Sequence, residues 1–211
     1  MQPTEVPVRN FYDGLASRYH LLYEDWEQAI VDQGHALSSL LVERGVIERM
    51  PILDAACGVG TQTLGLAKHG YDVSASDISP VAVARLNQEL DDRGLAAHTS
   101  VDDIRVLHGA APSSFAAVVA CDNSIPHLLT DSDILRAFRA IRSRLRPGGV
   151  FVMSVRDYAT ITRVSPDVRP YGLRYEPGGR FFAVQVCKWE RDLHDLSIYL
   201  TTHLANGQVT T

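Results

Sequence analysis

The chain has 211 residues, of which 45% are hydrophobic and 21% charged, and its formal net charge is −5. This length suits one well-packed domain, and without a lysine or arginine block the composition argues against nucleic acid as a partner. The first residues lack the order of a signal peptide, and no apolar run approaches the roughly 18 residues of a membrane span. We therefore expect a cytoplasmic protein without membrane contact, either a monomer or a homo-oligomer.

Cysteine and histidine spacing gives no sign of a disulfide framework or a metal site. The three cysteines lie far apart in apolar runs, at Cys57, Cys121 and Cys187. This is typical of buried free thiols in a reducing compartment. The eight histidines show no metal-ligand spacing. We expect no metal.

Apolar residues recur at helical spacing between residues 24 and 48, which predicts one or two amphipathic helices. Strands and helices then alternate. The predicted strands are 52–56, 71–77, 98–101, 115–122 and 150–155; the predicted helices are 61–69, 80–92 and 131–145, and a Pro147-Gly148-Gly149 turn precedes the fifth strand. This alternation predicts an α/β fold, a mostly parallel sheet with helices on both faces.

The alternation stops after Arg156. A polar loop is expected over 157–180, and the runs 181–189 and 196–203 alternate as an antiparallel pair of strands. The sequence therefore predicts a small antiparallel accessory sheet near the C-terminus. We interpret the whole chain, 1–211, as a single domain with three parts: an N-terminal helical lid (1–48), a ligand-binding core (50–156), and an acceptor-site loop with antiparallel strands (157–211).

The stretch LDAACGVGTQT, residues 53–63, turns from the first strand into a helix through two glycines. A lone Gly-x-Gly is a weak signal, because glycine is common wherever the backbone turns tightly. A dinucleotide fingerprint would have a third glycine where Thr63 stands, and a phosphate loop would have Gly-Lys-Ser/Thr, which is absent. The loop therefore matches neither phosphate-binding motif.

Acidic residues follow the second and third strands. Asp77 ends the second strand, where an open α/β sheet places an acid on a ribose diol; the alternative is an N-cap for the next helix, a role that Ser79 could also serve. After the third strand, Asp103 could accept the exocyclic amine of an adenine while Ile104 lies on the ring. On its own, this second pair would be interpreted as a solvated turn.

The segments DAACGVG, SASDIS, DDI and RPGG, taken in order, resemble the motif series of class I S-adenosylmethionine-dependent methyltransferases over residues 50–156. The resemblance implies a Rossmann-like fold and S-adenosyl-L-methionine as cofactor, with S-adenosyl-L-homocysteine as product. It also implies the cofactor-binding residues, which are Asp54, Ala56, Gly58, Gly60, Asp77, Ile78, Asp103, Ile104 and Cys121.

A narrower resemblance concerns the methyl acceptor. The fourth strand ends in CDNSIPHL (121–128), which resembles the Asn-Ser-x-x-His-Leu of glycine and sarcosine N-methyltransferases, and it lacks the Asn/Asp-Pro-Pro-aromatic motif of enzymes that act on base or glutamine nitrogens. SVRDYATI (154–161) and FYDGLASRYHLLYEDW (11–26) extend the likeness. It implies a small acceptor with an amine and a carboxylate, such as glycine or sarcosine. The implied catalytic residues are Asn123 for the amine, Arg156 for the carboxylate, and Tyr12 and Tyr23 for hydroxyls around the reacting centre.

Each of these side chains also has a structural interpretation. Arg156 offers a planar fork that matches a carboxylate, but it could instead pair with Asp157 or Glu176 on the surface. The tyrosines at 12, 19 and 23 could include members of an apolar helix face. His127 is interpreted as a hydrogen-bonded core or loop histidine and not as a base.

The sequence also departs from the family. Ala159 stands where an aspartate is usual, and Val59 where threonine or serine is common. Class I folds close with a further helix and two strands, whereas only NGQVTT (206–211) follows the last predicted strand, so we expect a truncated chain of weak or no activity, or a sheet completed by a partner. Two alternatives to amino acid methylation stay open: a methyltransferase acting on another small molecule or natural product, and a non-catalytic subunit that binds S-adenosylmethionine.

Overall fold

The computed structural model describes residues 5–176, 179–204 and 206–210. The chain divides into two compact units, the first formed by residues 1–17 and 27–156 and the second by residues 18–26 and 157–211. The predicted lid and acceptor-site ranges also include residues 1–4, 177–178, 205 and 211, which lie outside the described residues. No helix in the described part of the chain is long and apolar enough to span a bilayer.

The first unit is built on a five-stranded sheet in the order β3-β2-β1-β4-β5, and every neighbouring pair is parallel. This confirms the predicted parallel sheet. The strand order reverses between β1 and β4, which is where open α/β sheets bind ligands at the carboxyl ends of their strands. The strands are β1 Pro51–Asp54, β2 Asp72–Asp77, β3 His98–Val101, β4 Phe115–Ala120 and β5 Leu145–Met153.

The helices lie where apolar spacing and capping residues predict them. Ser79 caps the fourth helix by accepting a hydrogen bond from Ala82 N at 3.0 Å, Pro80 occupies the first turn, and Gly94 ends the helix with φ 61°. The α-helices are α1 Glu5–Leu15, α2 Trp26–Glu43, α3 Thr61–Lys68, α4 Pro80–Arg93 and α5 Asp131–Arg144; 3₁₀ helices cover Ala16–Leu22 and Ile125–His127.

Successive residues of the central strands point to opposite faces of the sheet, and each face has its own core. Ile52 and Val119 pack with residues of α2 and α3, whereas Leu53 and Val118 pack with Ile141 of α5. Side chains alternate between the two faces along a strand, which explains why each face has its own set of core residues. Near-continuous apolar strands therefore follow from burial on both faces.

Two predicted boundaries in this unit were wrong by more than two residues. The helical pattern to residue 48 stops at Glu43, because Gly45 takes a left-handed φ of 76° and Val46 N donates back to Leu41 O at 2.9 Å. The Pro147-Gly148-Gly149 turn does not precede β5 but lies inside it. There the segment from Leu145 to Val150 opposes only Phe115–Ala117, which makes an irregular bulge in the ladder.

The second unit holds an antiparallel sheet in the order β6-β7-β8-β9. The predicted pair of strands is confirmed as β7 and β8, which pair along their whole lengths. The sheet is formed by β6 Asp167–Glu176, β7 Gly179–Glu190, β8 Leu193–Leu204 and β9 Val209–Thr210.

The loop prediction for 157–180 was wrong over Asp167–Glu176, which is strand β6. Its proline, glycine and arginines hide the strand pattern. Pro170 is tolerated because β6 lies at the sheet edge and the ladder shifts register between Pro170 and Gly172. Arg174 of this strand donates to Tyr23 O at 2.7 Å, which joins residues 18–26 to the unit.

Candidate cofactor and acceptor site

The two glycines of the loop after β1 have different surroundings. Gly58 and Gly60 have φ values of 53° and 102°. A Cβ on Gly60 would lie 2.3 Å from Leu86 Cδ1, so a side chain at this position would force Leu86 of α4 to move. A Cβ on Gly58 would meet no described atom within 4 Å. The open side of the loop therefore lies at Gly58.

Asp77, at the end of β2, holds this loop. Its Oδ2 accepts from Gly58 N at 2.8 Å and its Oδ1 from Ser79 N at 2.9 Å. Ser79 is the residue that caps α4, so the capping role considered for Asp77 belongs to its neighbour. Burial raises the pKa of Asp77, and the hydrogen bonds from Ser79 and Gly58 oppose that rise. An ionised carboxylate has about four lone-pair sites, so Asp77 can accept further hydrogen bonds from a ligand.

Asp54, the last residue of β1, is a fully buried carboxyl group with one unsatisfied oxygen. Oδ2 accepts from Thr63 Oγ1 at 2.7 Å, whereas Oδ1 has no hydrogen-bond partner. Burial raises the pKa of Asp54 to about 7; the Thr63 hydrogen bond opposes this shift and the negative charge of Asp77 adds to it. Sequence reasoning missed Thr63, although it occupies the position at which a dinucleotide fingerprint would have glycine.

The donor and acceptor set at this edge fits S-adenosylmethionine. The unsatisfied Asp54 Oδ1 is a buried acceptor for an amino group, and the open side of Gly58 leaves room for a ligand close to the backbone. Asp77 retains lone pairs for ribose hydroxyls. The remaining predicted cofactor residues in this region are half-buried or buried, namely Ala56, Ile78, Ile104 and Cys121.

Asp103, after β3, lies in an ion-pair network and not in a simple solvated turn. Arg105 Nε lies 3.0 Å from both Asp103 oxygens, and Arg105 Nη1 lies 3.3 Å from Asp133 Oδ1. Burial alone would raise the pKa of Asp103, but the hydrogen bonds and positive charge of Arg105 outweigh it and hold the pKa below its usual value. Asp103 is therefore an ionised, pre-oriented acceptor beside Ile104.

The acceptor residues predicted at the ends of β4 and β5 are joined by hydrogen bonds. Asn123 Oδ1 accepts from Arg156 N at 3.1 Å, and Asn123 N donates to Ser154 O at 3.2 Å. Asp122 N donates to Ser154 Oγ at 2.9 Å. Sequence reasoning missed Ser154, whose hydroxyl and carbonyl link the two strand ends.

Asp122 and Asn123 also have left-handed backbones, with φ of 52° and 64°. Asparagine and aspartate tolerate this conformation better than other residues with a side chain, and such residues often occur at functional sites. Arg156 is exposed.

The two tyrosines predicted at the reacting centre lie in different units. Tyr12, on α1 of the first unit, has its hydroxyl 2.8 Å from His127 Nε2, and their rings meet edge to face. His127, the last residue of the 3₁₀ helix Ile125–His127, is thus hydrogen-bonded, as predicted. Tyr23 belongs to the second unit, where its ring lies 6.0 Å from that of Tyr19.

All three cysteines are buried and unpaired, as predicted. Burial raises the pKa of Cys121 to about 12, and the negative charge of Asp54 contributes to the shift. Burial, with the charges of Asp77 and Asp54, also raises the pKa of Cys57 far above its usual value. Both thiols beside the loop therefore stay protonated at neutral pH.

Known proteins similar in sequence to this chain are methyltransferases, in agreement with the cofactor site described above. Residues 52–149 match a family model described as a methyltransferase domain. A glycine/sarcosine N-methyltransferase of Parasynechococcus marenigrum is 29% identical over 169 residues, which cover 80% of this chain and 58% of that protein. A ubiquinone biosynthesis O-methyltransferase of Xanthomonas euvesicatoria is 28% identical over 159 residues, which cover 72% of this chain and 64% of that protein.

The fold agrees as well. The structure of S-adenosylmethionine-bound CalS10, an amino pentose methyltransferase from Micromonospora echinaspora, matches with a TM-score of 0.72 at 19% identity, over 92% of this chain and 79% of that one. The chain spans less than two thirds of the length of the two curated relatives. Together with the parallel sheet and the glycine loop, the matched methyltransferase domain supports a class I S-adenosylmethionine-dependent methyltransferase.

Proposed function

We propose that the protein transfers a methyl group from S-adenosylmethionine to the amine of a small amino acid such as glycine or sarcosine. The observation that carries this proposal is the 3.1 Å hydrogen bond from Arg156 N to Asn123 Oδ1. The two residues that the family resemblance assigns to the carboxylate and the amine of the acceptor are thus direct neighbours. Their strands end at the same edge of the parallel sheet as β1, which leads into the glycine loop.

S-adenosylmethionine, when bound, supplies an electrophilic methyl group on a sulfonium centre. In the proposal, Asp77 accepts hydrogen bonds from the ribose hydroxyls, and Asp103 with Ile104 holds the adenine. Asp54 Oδ1 accepts a hydrogen bond from the amino group of the tail, which would satisfy the unpaired buried oxygen.

The acceptor residues work by orientation. The planar guanidinium of Arg156 can donate two parallel hydrogen bonds to a carboxylate. In the proposal, Asn123 Oδ1 accepts from the amine and turns the nitrogen lone pair toward the methyl group. Holding two reactants in line can supply several kcal/mol of barrier lowering, so this site needs little acid–base assistance once the amine is neutral.

Tyr12 supports the same arrangement. In the proposal, the Tyr12 hydroxyl, which lies 2.8 Å from His127 Nε2, accepts from an amine N–H of the acceptor. In this proposal His127 orients Tyr12 and takes no proton from the acceptor.

The test is methyl transfer from labelled S-adenosylmethionine to glycine, sarcosine and dimethylglycine, each offered separately, with cofactor binding measured by calorimetry on the same sample. Transfer to glycine or sarcosine is the expected result. Cofactor binding without transfer to any of the three would overturn the amino acid acceptor. Faster transfer to amines that lack a carboxylate would overturn it in favour of another small-molecule acceptor.

The Arg156→Ala variant tests the carboxylate contact. We expect the acceptor KM to rise by about 10- to 100-fold, since a hydrogen bond to a charged group contributes about 1.5–3 kcal/mol. The cofactor Kd should change little. Arg156→Lys is the matched control, because it keeps the positive charge but loses the planar guanidinium. Its acceptor KM should lie between those of the unmodified chain and Arg156→Ala. An equal loss of acceptor and cofactor binding in Arg156→Ala would contradict the assigned role.

A further inference from the structure

Hydrogen bonds of Asp13, Ser79, Asp77 and Gly58 connect helix α1 with the glycine loop, and the side chain and backbone of Ser79 form the link between Asp13 and Asp77. Ser79 Oγ donates to Asp13 Oδ1 at 2.5 Å, and Ser79 N donates to Asp77 Oδ1 at 2.9 Å. The other oxygen of Asp77 accepts from Gly58 N at 2.8 Å. Asp13 and Ser79 are 66 residues apart in sequence, and the proposed function gives Asp13 no role.

Asp13 fixes the orientation of the Ser79 hydroxyl. Ser79 is completely buried, and its oxygen also accepts from Ala82 N at the start of α4. A hydroxyl has one proton, and here that proton points to Asp13 while an oxygen lone pair faces Ala82. Removing the Asp13 carboxylate would leave a buried O–H without this acceptor, which is unfavourable, or would force the Ser79 side chain to turn. A turn of the Ser79 side chain would break its hydrogen bond with Ala82 N, and so loosen the first turn of α4 beside the Ser79 N–H that holds Asp77.

Asp13 also acts on Asp77 through its charge. Burial is the main cause of the raised pKa of Asp77, and the negative charge of Asp13 adds to it. Arg9 lies 3.4 Å from the other Asp13 oxygen as an exposed i,i+4 partner, and such pairs contribute little to stability. The contact that matters is therefore the one between Asp13 and Ser79.

From these hydrogen bonds we propose that Asp13 is a positioning residue for the cofactor, which acts through Ser79 to orient Asp77 and the glycine loop. The inference rests on the cofactor contacts of the proposed function and does not depend on the acceptor. It makes the seating of α1 and the binding of S-adenosylmethionine one coupled equilibrium, because the same hydrogen bonds hold both.

A double-mutant cycle tests this coupling. The Kd for S-adenosylhomocysteine is measured by calorimetry for the unmodified chain, Asp13→Ala, Asp77→Asn and the double variant. We expect Asp13→Ala to weaken binding by about 5- to 30-fold, in line with the loss of one charged hydrogen bond. In the Asp77→Asn background the same change should weaken binding by less than about twofold, because residues that act through a shared partner are not additive.

Two further variants separate positioning from a general loss of stability. Asp13→Asn keeps an acceptor oxygen for Ser79 and should restore most of the affinity. Arg9→Gln removes the ion pair but leaves the contact between Asp13 and Ser79, and its Kd should stay within about twofold of the unmodified chain. Additive losses in the double variant, or an unchanged Kd in Asp13→Ala, would overturn the proposal.

The binding assay needs no acceptor, so failure of methyl transfer to amino acids would leave these constants measurable. A chain that does not bind S-adenosylhomocysteine at all would overturn both this inference and the cofactor contacts of the proposed function.

Discussion

The protonation of Asp54 departs strongly from that of an ordinary aspartate. The residue is fully buried at the end of β1, and one of its two oxygens has no hydrogen-bond partner. Burial raises its pKa from 3.8 to about 7. A residue that costs stability in this way, at the edge where a cofactor binds, is typical of a functional site.

The raised pKa gives a signed prediction for stability. Below about pH 4 Asp54 is protonated in both the folded and the unfolded chain; between about pH 4 and pH 7 it is ionised only in the unfolded chain. The free energy of unfolding therefore falls as the pH rises through this window and does not fall further above it. Asp54→Asn removes this contribution. The free energy of unfolding of the variant should therefore rise relative to that of the unmodified chain, by up to about 4 kcal/mol as the pH goes from 4 to 7.5.

Urea unfolding at a series of pH values, without cofactor, measures this difference. Thr63→Val is the directional control: the Thr63 hydrogen bond opposes the rise in the pKa of Asp54, and its loss should move the upper end of the window above pH 7. A difference between Asp54→Asn and the unmodified chain that stays constant with pH would contradict the prediction.

At the scale of elements, helices α2 and α3 touch through their backbones. A Cβ on Gly65 of α3 would lie 2.7 Å from both Gly34 Cα and Ile30 O of α2, and a Cβ on Gly34 would lie 2.7 Å from Gly65 Cα. Backbone atoms cannot rotate away as a side chain can. The two glycines therefore set the distance between the helices.

Gly65→Ala should destabilise the protein by about 1–3 kcal/mol, the usual cost of overpacking, even though alanine favours a helix by about 1 kcal/mol over glycine. Gly14→Ala in α1 is the matched control, because a Cβ there meets no described atom within 4 Å. That variant should be neutral or more stable by up to about 1 kcal/mol. Urea unfolding of both variants checks the contrast, and equal gains in stability would refute the backbone contact.

The elements that sequence reasoning predicted are those with a clear period. Strand β4, a run of apolar residues, was predicted from its first residue, and helix α4 was marked by Pro80 and Gly94. Strand β6 was missed because Pro170 and Gly172 interrupt its alternation, and an edge position with a register shift is what makes them tolerable. That context is tertiary and leaves no local pattern in the sequence.

At the scale of the whole molecule, the predicted alternation of strands and helices was enough to bring Asp54, Asp77 and Asn123 to one edge of the first sheet, because parallel strands end together. The contacts between them could not be predicted in the same way. The bond from Ser79 to Asp13 joins distant segments, and the left-handed turn at Asp122 and Asn123 follows no period. Sequence reasoning therefore predicted the sheet edge at which these three residues lie, but not the contacts that hold them.

The order of the strands in each sheet also predicts which strands are least prone to local unfolding. Strand β4 lies between β1 and β5, and residues 116–120 have no exposed surface, whereas β3 is an edge strand with exposed and half-exposed residues. In the second unit β7 is paired on both sides, and β9 is a two-residue edge strand. Each central strand can exchange its amides only when more of its unit opens.

Amide hydrogen exchange followed by NMR at neutral pH should therefore give a gradient within each unit. We expect β4 amides to exchange at least about 100-fold more slowly than those of β3, and β7 amides more slowly than those of β9 by a similar factor. The comparison is made inside each unit, so it does not depend on how stable one unit is relative to the other. Exchange at β3 as slow as at β4 would mean that the first sheet opens as a single cooperative unit, and that its edge is held as firmly as its centre.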